Sequence, residues 1–191
     1  MRHMNDFQGL IEESELSVLH TAYAERHRHY HTWTHIEMLL ASAQRDGMTT
    51  PPVLLAIAFH DIVYNATAKD NEAQSANALL ATWRRKRVHA DESTVRHAMA
   101  MINLASGNAE ADWFWDADRE ILAAAPDGYR AYAVAVRKEY KIYPDFLYRR
   151  GRAKFLEGEL ARPQIFRTES FNARFGEAAR RNIAAELKEL S

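Results

Sequence analysis

The sequence predicts an all-α protein with roughly eight or nine helices, because helical periodicity recurs along the whole chain. Apolar residues return every three or four positions in one segment after another, and no stretch of convincing length alternates as a strand would. Glycine (7) and proline (5) are both scarce among the 191 residues. Hydrophobic residues make up 47% of the chain, enough for a full core. The length suits one domain and no linker or repeat interrupts it, so we expect a single helical domain over residues 1–191.

The first five helices are predicted from apolar periodicity and from local start and stop signals. Thr50-Pro51-Pro52 is a start signal, because proline is favoured in the first turn of a helix. It opens VLLAIAFHDIVY, which is apolar almost all round and therefore predicts a central, buried helix. The second helix should end near Asp46-Gly47, and Ala90-Asp-Glu-Ser-Thr should open the fifth. The expected helices cover residues 10–19, 36–46, 50–64, 71–87 and 90–102.

The second half of the chain predicts four more helices after one loop. That loop is Ser106-Gly107-Asn108, whose residue types favour turns. Helical periodicity then resumes. The expected helices cover residues 113–125, 129–143, 146–160 and 177–190.

The composition excludes several classes of protein. Lys plus Arg (25) nearly balance Asp plus Glu (26), so no overall charge attracts nucleic acid and we expect no nucleic-acid partner. Cysteine is absent, which excludes disulfide scaffolds and cysteine nucleophiles and restricts any transition-metal site to His, Asp and Glu. No apolar run approaches the roughly 18 residues of a membrane span. The N-terminus carries acids where a signal peptide needs apolar residues, so we expect a cytoplasmic protein without a membrane partner.

The strongest chemical feature is the pair His60-Asp61 at the end of the apolar central helix. Burying an imidazole and a carboxylate there is costly unless they are paired or bind a cation. His35 lies 25 residues upstream, where the following helical face is apolar, so its side chain should point inward. Asp118 precedes a further apolar helical stretch. The alternative interpretation is that His60 and Asp61 form only a buried, hydrogen-bonded polar cluster.

These residues predict a metal site with two imidazoles and two carboxylates. Such a mixed nitrogen and oxygen set suits a divalent ion of Mn, Fe, Ni, Co, Zn or Mg. Four protein ligands leave positions open for water or substrate, as a catalytic site requires. The expected metal ligands are His35, His60, Asp61 and Asp118.

The same residues resemble the H…HD…D pattern of the HD-domain superfamily of metal-dependent phosphohydrolases. The likeness extends to successive blocks of a bacterial group described as predicted HD-superfamily phosphohydrolases: RHYHTWTHIEMLL, AIAFHDIVY, DNEAQSA, WDADREIL, YAVAVRKEY and EAARRNIAAEL. Together the blocks span roughly residues 23–190. The resemblance implies a compact HD-domain-like helical bundle and the same four metal ligands. Asp116 is the alternative to Asp118, although the start of a helix would favour Asp116 as a cap.

One position departs from that group of proteins. They usually carry a Thr-x-x-His run before the final acidic block, whereas this chain has Ala105-Ser-Gly-Asn108. The departure puts in doubt whatever that histidine contributes. Dinuclear HD enzymes add two or more histidines between the doublet and the last aspartate, and this chain offers only His89 and His97 there. We therefore expect one metal ion.

Two carboxylates just past the doublet helix are candidates for proton transfer. Asp70 and Glu72 stand one loop away from the expected metal, where a carboxylate could shuttle a proton. The alternative for the triplet Asp70-Asn-Glu72 is helix capping, and one residue can serve both purposes. We expect Glu72 and Asp70 to be catalytic residues.

The histidine-rich run before His35 divides by helical spacing. His31 and Arg28 lie four and seven residues before His35, so on one helix they would share its face. Arg28 is a candidate phosphate ligand, and His31 is a candidate for catalysis, for donation to phosphate or for orienting a metal ligand. His27 and His29 should occupy the helix entry and the outer surface. Other candidates for substrate contact are Arg137, Arg149 and Arg152, and the aromatic residues Tyr30, Trp33, Phe59 and Tyr64, which could equally be packing.

The predicted function is metal-dependent hydrolysis of a small phosphorylated molecule such as a nucleotide, through a metal-activated water. One alternative is a catalytically weak regulatory protein that binds a ligand or nucleotide, which the Asn108 departure motivates. A dinuclear oxygenase on the same fold is a further alternative and requires two metals. A homo-oligomer is compatible with each of these.

Overall fold

A computed structural model describes residues 4–190, and over this range the protein is all-helical, as the sequence predicts. Short 3-10 turns cover Met4–Phe7 and Glu120–Ala123, and a helical turn at Glu169–Phe171 runs through a π turn at Asn172–Gly176 into the last helix. Within residues 4–190, the nine main helices are α1 (Glu13–Tyr23), α2 (Trp33–Asp46), α3 (Pro51–Phe59), α4 (Asn71–Arg84), α5 (Glu92–Ile102), α6 (Ala109–Asp118), α7 (Pro126–Glu139), α8 (Asp145–Ala161) and α9 (Glu177–Leu190).

The described chain divides into two compact units. The first ends at Ala117 and the second begins at Asp118, which is also the last residue of α6. The expectation of a single domain over residues 1–191 stays a prediction. In the part of the chain that the structure describes, none of the helices combines the length and the hydropathy that a membrane crossing needs.

Helix α3 is the buried centre of the first unit, as predicted, but it ends at Phe59 and does not continue to residue 64. It begins after Thr50 with Pro51 and Pro52 in its first turn, where the missing N–H groups of proline cost nothing. Every residue from Val53 to Phe59 is buried, and α2, α4 and α5 pack around it. Burying each large apolar side chain of this helix contributes about 1.5–3 kcal/mol. The polar doublet therefore begins where a fully buried helix ends.

Helix α2 ends where the sequence predicts but begins later than its histidine spacing suggests. Gly47 takes a left-handed conformation (φ 70°) after Asp46, and this conformation is easiest for glycine. Residues 24–32 form turns and bends, so α2 starts only at Trp33. Its buried side chains include His35, Ile36, Leu39 and Leu40. His35 thus points inward, as predicted, although the residues before it are not helical.

The N-terminal segment is tied to the loop between α4 and α5. Ile11 and Val88 form an isolated antiparallel bridge. The backbone N–H of His89 donates to the carbonyl of Leu10 at 2.8 Å, and that of Glu12 donates to the carbonyl of Arg87 at 3.0 Å. Residues 10–12 were predicted to be helical, but they precede α1 and pair with this loop instead.

The second unit has a buried polar network where α7, α8 and α9 meet. Arg152 donates to both carboxylate oxygens of Glu186, at 2.8 and 3.0 Å, and to the hydroxyl of Tyr132 at 3.3 Å. Tyr129 donates to Glu186 at 2.5 Å, and burial together with this bond raises the pKa of Tyr129. The guanidinium of Arg152 therefore binds side chains inside the unit. These contacts are not those expected of a residue that binds a substrate anion.

Candidate metal centre

Two histidines and one aspartate meet where the start of α2 lies beside the end of α3. The Nε2 atoms of His35 and His60 lie 3.1 Å apart. The Nε2 atom of His60 lies 3.1 Å from the Oδ2 atom of Asp61. One ligand atom from each of the three residues falls within 4.8 Å of the others. Among the described residues, this group has the composition and the spacing to hold a metal ion.

The three side chains of the group become more exposed in the order His35, His60, Asp61. His35 on α2 is 2% exposed and His60, which follows the last residue of α3, is 6% exposed. The side chain of Asp61 is 17% exposed. The ring of Phe114 packs edge-on against His60 at 5.6 Å between centroids and closes one side. A water or a ligand can therefore reach the group at the carboxylate of Asp61.

The hydrogen bonds of His60 create a conflict that a cation resolves. Its Nδ1 atom lies 3.0 Å from the carbonyl oxygen of Ile57, which only accepts, so Nδ1 carries a proton. In a neutral imidazole the Nε2 atom then carries a lone pair, directed at a carboxylate oxygen that also only accepts. A second proton on His60 would relieve this repulsion, and so would a divalent cation that takes both atoms as ligands.

The distances also fit a metal ion. Two ligand atoms that each lie about 2.1 Å from a metal, at angles of about 90–110°, are about 3.0–3.4 Å apart. Both measured separations at His60, 3.1 Å to His35 and 3.1 Å to Asp61, fall in that range. The bond from His60 to the carbonyl of Ile57 fixes the tautomer in which Nε2 is free to bind, as in many metal-binding histidines. The donor set therefore fits one divalent metal.

Asp61 is held in its ionised form by the surrounding imidazoles. Burial alone would raise the pKa of this carboxyl group, because it disfavours the charged form. Without a metal, when the neighbouring imidazoles are protonated, the charges of His60, His31 and His35 and the hydrogen bond that His60 then donates outweigh that effect and lower the pKa of Asp61. An ionised carboxylate is the form that a metal binds.

His31 and Tyr64 line the exposed side of the group. The Nε2 atom of His31 lies 4.0 Å from the Oδ2 atom of Asp61. The rings of His31 and Tyr64 stack with centroids 4.3 Å apart. His31 thus lies beside the ligands as predicted, but because residues 24–32 are not helical, the turns before α2 place it there rather than a shared helical face.

Arg28 lies close to the group but faces the backbone. Its predicted position on a helical face with His35 is wrong for the same reason. Its guanidinium donates to the carbonyls of Asp61, Ile62 and His31 at 2.6, 2.9 and 3.3 Å, and to Glu25 at 2.9 Å. The side chain is 0% exposed. These contacts are not those of a phosphate ligand.

Asp70 and Glu72 are exposed at the start of α4. Asp70 occupies the N-cap position, although its side chain makes no capping hydrogen bond. The residue between them, Asn71, holds the preceding loop: its side chain accepts from the N–H of Asn65 at 3.0 Å and donates to the carbonyl of Asn65 at 2.9 Å. The catalytic roles of Glu72 and Asp70 stay predictions.

Arg137 belongs to the second unit, where it fixes the loop between α7 and α8. Its guanidinium donates to the carbonyls of Tyr140 and Tyr143 at 3.1 and 3.2 Å and to Asp145 at 3.3 Å. It also lies over the ring of Tyr148, 4.6 Å from the centroid. A role for Arg137 toward a substrate stays a prediction.

The aspartates at the end of α6 differ from their predicted setting. The helix was expected to begin at residue 113, but it covers Ala109–Asp118. Asp116 lies near the C-terminal end of α6 and is 0% exposed. The interpretation of Asp116 as an N-cap is therefore wrong. Asp118 is the last residue of the helix and the first of the second unit. Its place as the fourth metal ligand stays a prediction.

Because α6 begins at Ala109, Asn108 occupies the N-cap position of this helix. The side-chain oxygen of Asn108 accepts from the backbone N–H of Ala111 at 2.8 Å, which is the geometry of an N-cap. It also lies 3.4 Å from the Nε2 atom of His97. The departure from the related group thus falls on a residue with a structural task.

Replacing Asn108 by alanine should lower the free energy of unfolding by about 1 kcal/mol, because the N-cap hydrogen bond is lost. Asn108→Asp keeps an acceptor there and should retain most of the stability. Urea denaturation followed by tryptophan fluorescence measures both variants. Equal stability of Asn108→Ala and the unchanged protein would contradict the capping role.

In the part of the chain that the structure describes, the other histidines do not belong to the ligand group. His97 contacts Glu110 at 3.4 Å and His89 contacts Glu12 at 3.9 Å. His27 and His29 are exposed, as predicted. The Nε2 atom of His27 lies 3.0 Å from the carbonyl of Tyr64. The histidine-rich run therefore contributes His35 to the ligand group and His31 beside it.

Two of the aromatic residues considered for base stacking are packing residues. Trp33 stacks on His20 with centroids 3.6 Å apart, and burial lowers the pKa of His20. Phe59 is 0% exposed inside the core. Tyr30 packs edge-on against His31, with centroids 5.0 Å apart.

Tyr23 supports the doublet and was missed in the sequence. Its hydroxyl donates to the carbonyl of Ala58 at 3.1 Å and accepts from the backbone N–H of Asp61 at 3.3 Å. Tyr23 is 1% exposed at the end of α1. Its partner Asp61 lies more than thirty residues away in the chain. The sequence around a tyrosine at the end of an amphipathic helix does not indicate so distant a contact.

No protein-family model matches the chain, and no curated protein or solved structure matches it either. The resemblance to the HD-domain superfamily therefore stays a hypothesis that the residues quoted above carry.

Proposed function

We propose that the protein is a metal-dependent phosphohydrolase that acts on a small phosphorylated molecule such as a nucleotide. The observation that carries the proposal is the group of His35, His60 and Asp61, whose ligand atoms lie within 4.8 Å of one another. The resemblance of the same residues to the H…HD…D pattern supports the reaction class. A fold alone does not define a reaction, so the class is open to direct test.

His35, His60 and Asp61 would hold one divalent metal ion, with Asp118 the proposed fourth ligand. When bound, such an ion activates a water molecule near neutral pH and polarises a phosphoryl oxygen. Backbone and side-chain groups of the protein orient the ligands: the carbonyl of Ile57 fixes the ring of His60, and the hydroxyl of Tyr23 holds the peptide of Asp61.

His31 is the side chain best placed to hold or move a proton. Its Nε2 atom is 4.0 Å from Asp61, and its side chain is 22% exposed. Histidine changes protonation near neutral pH, as general acid–base catalysis requires. Tyr64, stacked on His31, would limit its rotation and present a ring edge to a substrate. Glu72 and Asp70 are the competing candidates for proton transfer.

The test is turnover of a panel of nucleotides and small phosphate esters by the full chain loaded in turn with Mn, Fe, Ni, Co, Zn and Mg. We expect phosphate release with at least one metal, and its loss in Asp61→Asn. His31→Gln and Glu72→Gln, compared on the active substrate, identify the residue that moves the proton. A metal-loaded protein that releases no phosphate from any member of the panel would contradict the proposal.

A ligand-binding regulatory protein remains the main alternative. The departure at Asn108 motivates this alternative, but the capping bond gives Asn108 a structural role and so weakens the argument. The alternative predicts stabilisation by a ligand without turnover, which thermal unfolding with and without each panel member measures. The oxygenase alternative requires two metal ions per chain, so a metal content of one or less would exclude it.

A further inference from the structure

We propose that Arg28 is a positioning residue that sets the Asp61 carboxylate and joins the His31 segment to it. The proposal rests on the metal centre of the proposed function and assigns Arg28 a role different from phosphate binding. Its basis is a buried arginine whose donors reach two separate backbone segments of the site.

Arg28 bridges the segment before α2 and the segment after α3. One guanidinium nitrogen donates to the carbonyls of Asp61 and His31 at 2.6 and 3.3 Å, and the other donates to the carbonyl of Ile62 at 2.9 Å. The remaining donor, Nε, is bound to Glu25 at 2.9 Å, and this carboxylate balances the buried charge. The arginine thus binds the backbone on both sides of the ligand group.

The guanidinium also lies near two aromatic rings. It lies 5.2 Å from the ring centroid of Tyr23 and 5.5 Å from that of Tyr64. A cation over aromatic rings is favourable, and the planar guanidinium suits this position better than an ammonium group. Tyr23 accepts from the N–H of Asp61 while Arg28 donates to its carbonyl. The backbone of Asp61 is therefore fixed at both of its polar groups.

This arrangement has a physical reason at the end of α3. The carbonyls of Asp61 and Ile62 lie in the turn just past α3, and Arg28 gives both of them a hydrogen-bond donor. A cation near the C-terminal end of a helix also interacts favourably with the helix dipole. Lysine could keep the charge, but its single ammonium group lacks the rigid fork that reaches several carbonyls at once. Losing the fork should let the Asp61 segment move.

The experiment compares Arg28→Lys with the unchanged full chain and with Arg180→Lys. Arg180 is the matched control, because it also donates to three main-chain carbonyls, those of Leu160, Arg162 and Pro163. Zn²⁺ is titrated into metal-free protein in competition with a chromophoric chelator. Because an outer partner of a metal ligand typically changes affinity by about 10–100-fold, we expect weakening of that size in Arg28→Lys and no change in Arg180→Lys.

Amide hydrogen exchange of the metal-free protein gives a second readout. Exchange at Asp61 and Ile62 should be faster in Arg28→Lys, while the amides inside α2 and α3 keep their protection, which shows that the variant is folded. If Arg28→Lys does not fold, Tyr23→Phe tests the hydrogen bond between the Tyr23 hydroxyl and the N–H of Asp61. This variant should weaken Zn²⁺ binding by a smaller factor.

The outcomes separate this proposal from the proposed function. Equal Zn²⁺ affinity in Arg28→Lys and the unchanged protein overturns the positioning role, as does unchanged exchange at Asp61. An unchanged protein that binds no Zn²⁺, Mn²⁺ or Co²⁺ overturns the metal centre, and with it the positioning role toward a metal. Weakened binding in the variant without phosphate release by the unchanged protein supports the positioning role while contradicting hydrolysis.

Discussion

Replacing His35 by alanine should abolish metal retention. The variant removes one of the two imidazoles of the ligand group, and His35 is the most deeply buried of its three residues, at 2% exposure. Losing a direct ligand should cost more than losing an outer partner, so we expect affinity to fall by more than about 100-fold. Metal content after gel filtration, measured by mass spectrometry of the metal, gives the result.

His29→Ala is the matched control for that prediction. His29 belongs to the same histidine-rich run but is exposed, so its removal should leave metal content nearly unchanged. His35→Gln fills more of the space than alanine does and separates ligand loss from a cavity in the core. Equal loss of metal in His35→Ala and His29→Ala would mean that the run binds metal as a tract and that the ligand group is wrong.

Replacing Glu186 by alanine should destabilise the second unit by about 3–5 kcal/mol, the usual effect of removing one partner of a buried ion pair. Arg152 would keep its charge inside the unit without the carboxylate that binds it at 2.8 and 3.0 Å. Tyr129 would lose the acceptor of its hydroxyl as well. The two losses act together, because both groups depend on the same carboxylate.

The location of the tryptophans makes this effect measurable unit by unit. All four, Trp33, Trp83, Trp113 and Trp115, precede Ala117, so tryptophan fluorescence follows the first unit. Hydrogen exchange of the amides in α8 and α9 follows the second unit. The double variant Arg152→Met, Glu186→Leu removes both charges and should recover most of the stability. Unchanged exchange in Glu186→Ala would contradict the importance of the pair.

The parts of the fold that depend on local signals were predictable from the sequence. Thr50-Pro51-Pro52 marks the start of α3, and Gly47 marks the end of α2. The apolar run between the prolines and the doublet placed His60 and Asp61 at the end of a buried helix, which the structure confirms. These signals act within a few residues, so one chain is enough to recognise them.

The surroundings of the ligands were harder to predict. The run before His35 has the spacing of a helical face, yet residues 24–32 form turns. Arg28 is bound by carbonyls more than thirty residues away, and such distant partners leave no pattern in the sequence. Asn108 is different, because an asparagine after Gly107 and before acidic residues is a readable N-cap.

The two imidazoles of the ligand group are only 25 residues apart in the chain, one on α2 and the other directly after α3. Closing so short a segment costs little conformational entropy, and all three ligands of the group precede residue 62. Chains fold from the N-terminus during synthesis, so α2, α3 and their ligands can assemble while the C-terminal half is still being made. The bridge between Ile11 and Val88 would then form after α2 and α3 have met, because Val88 is made later than either helix.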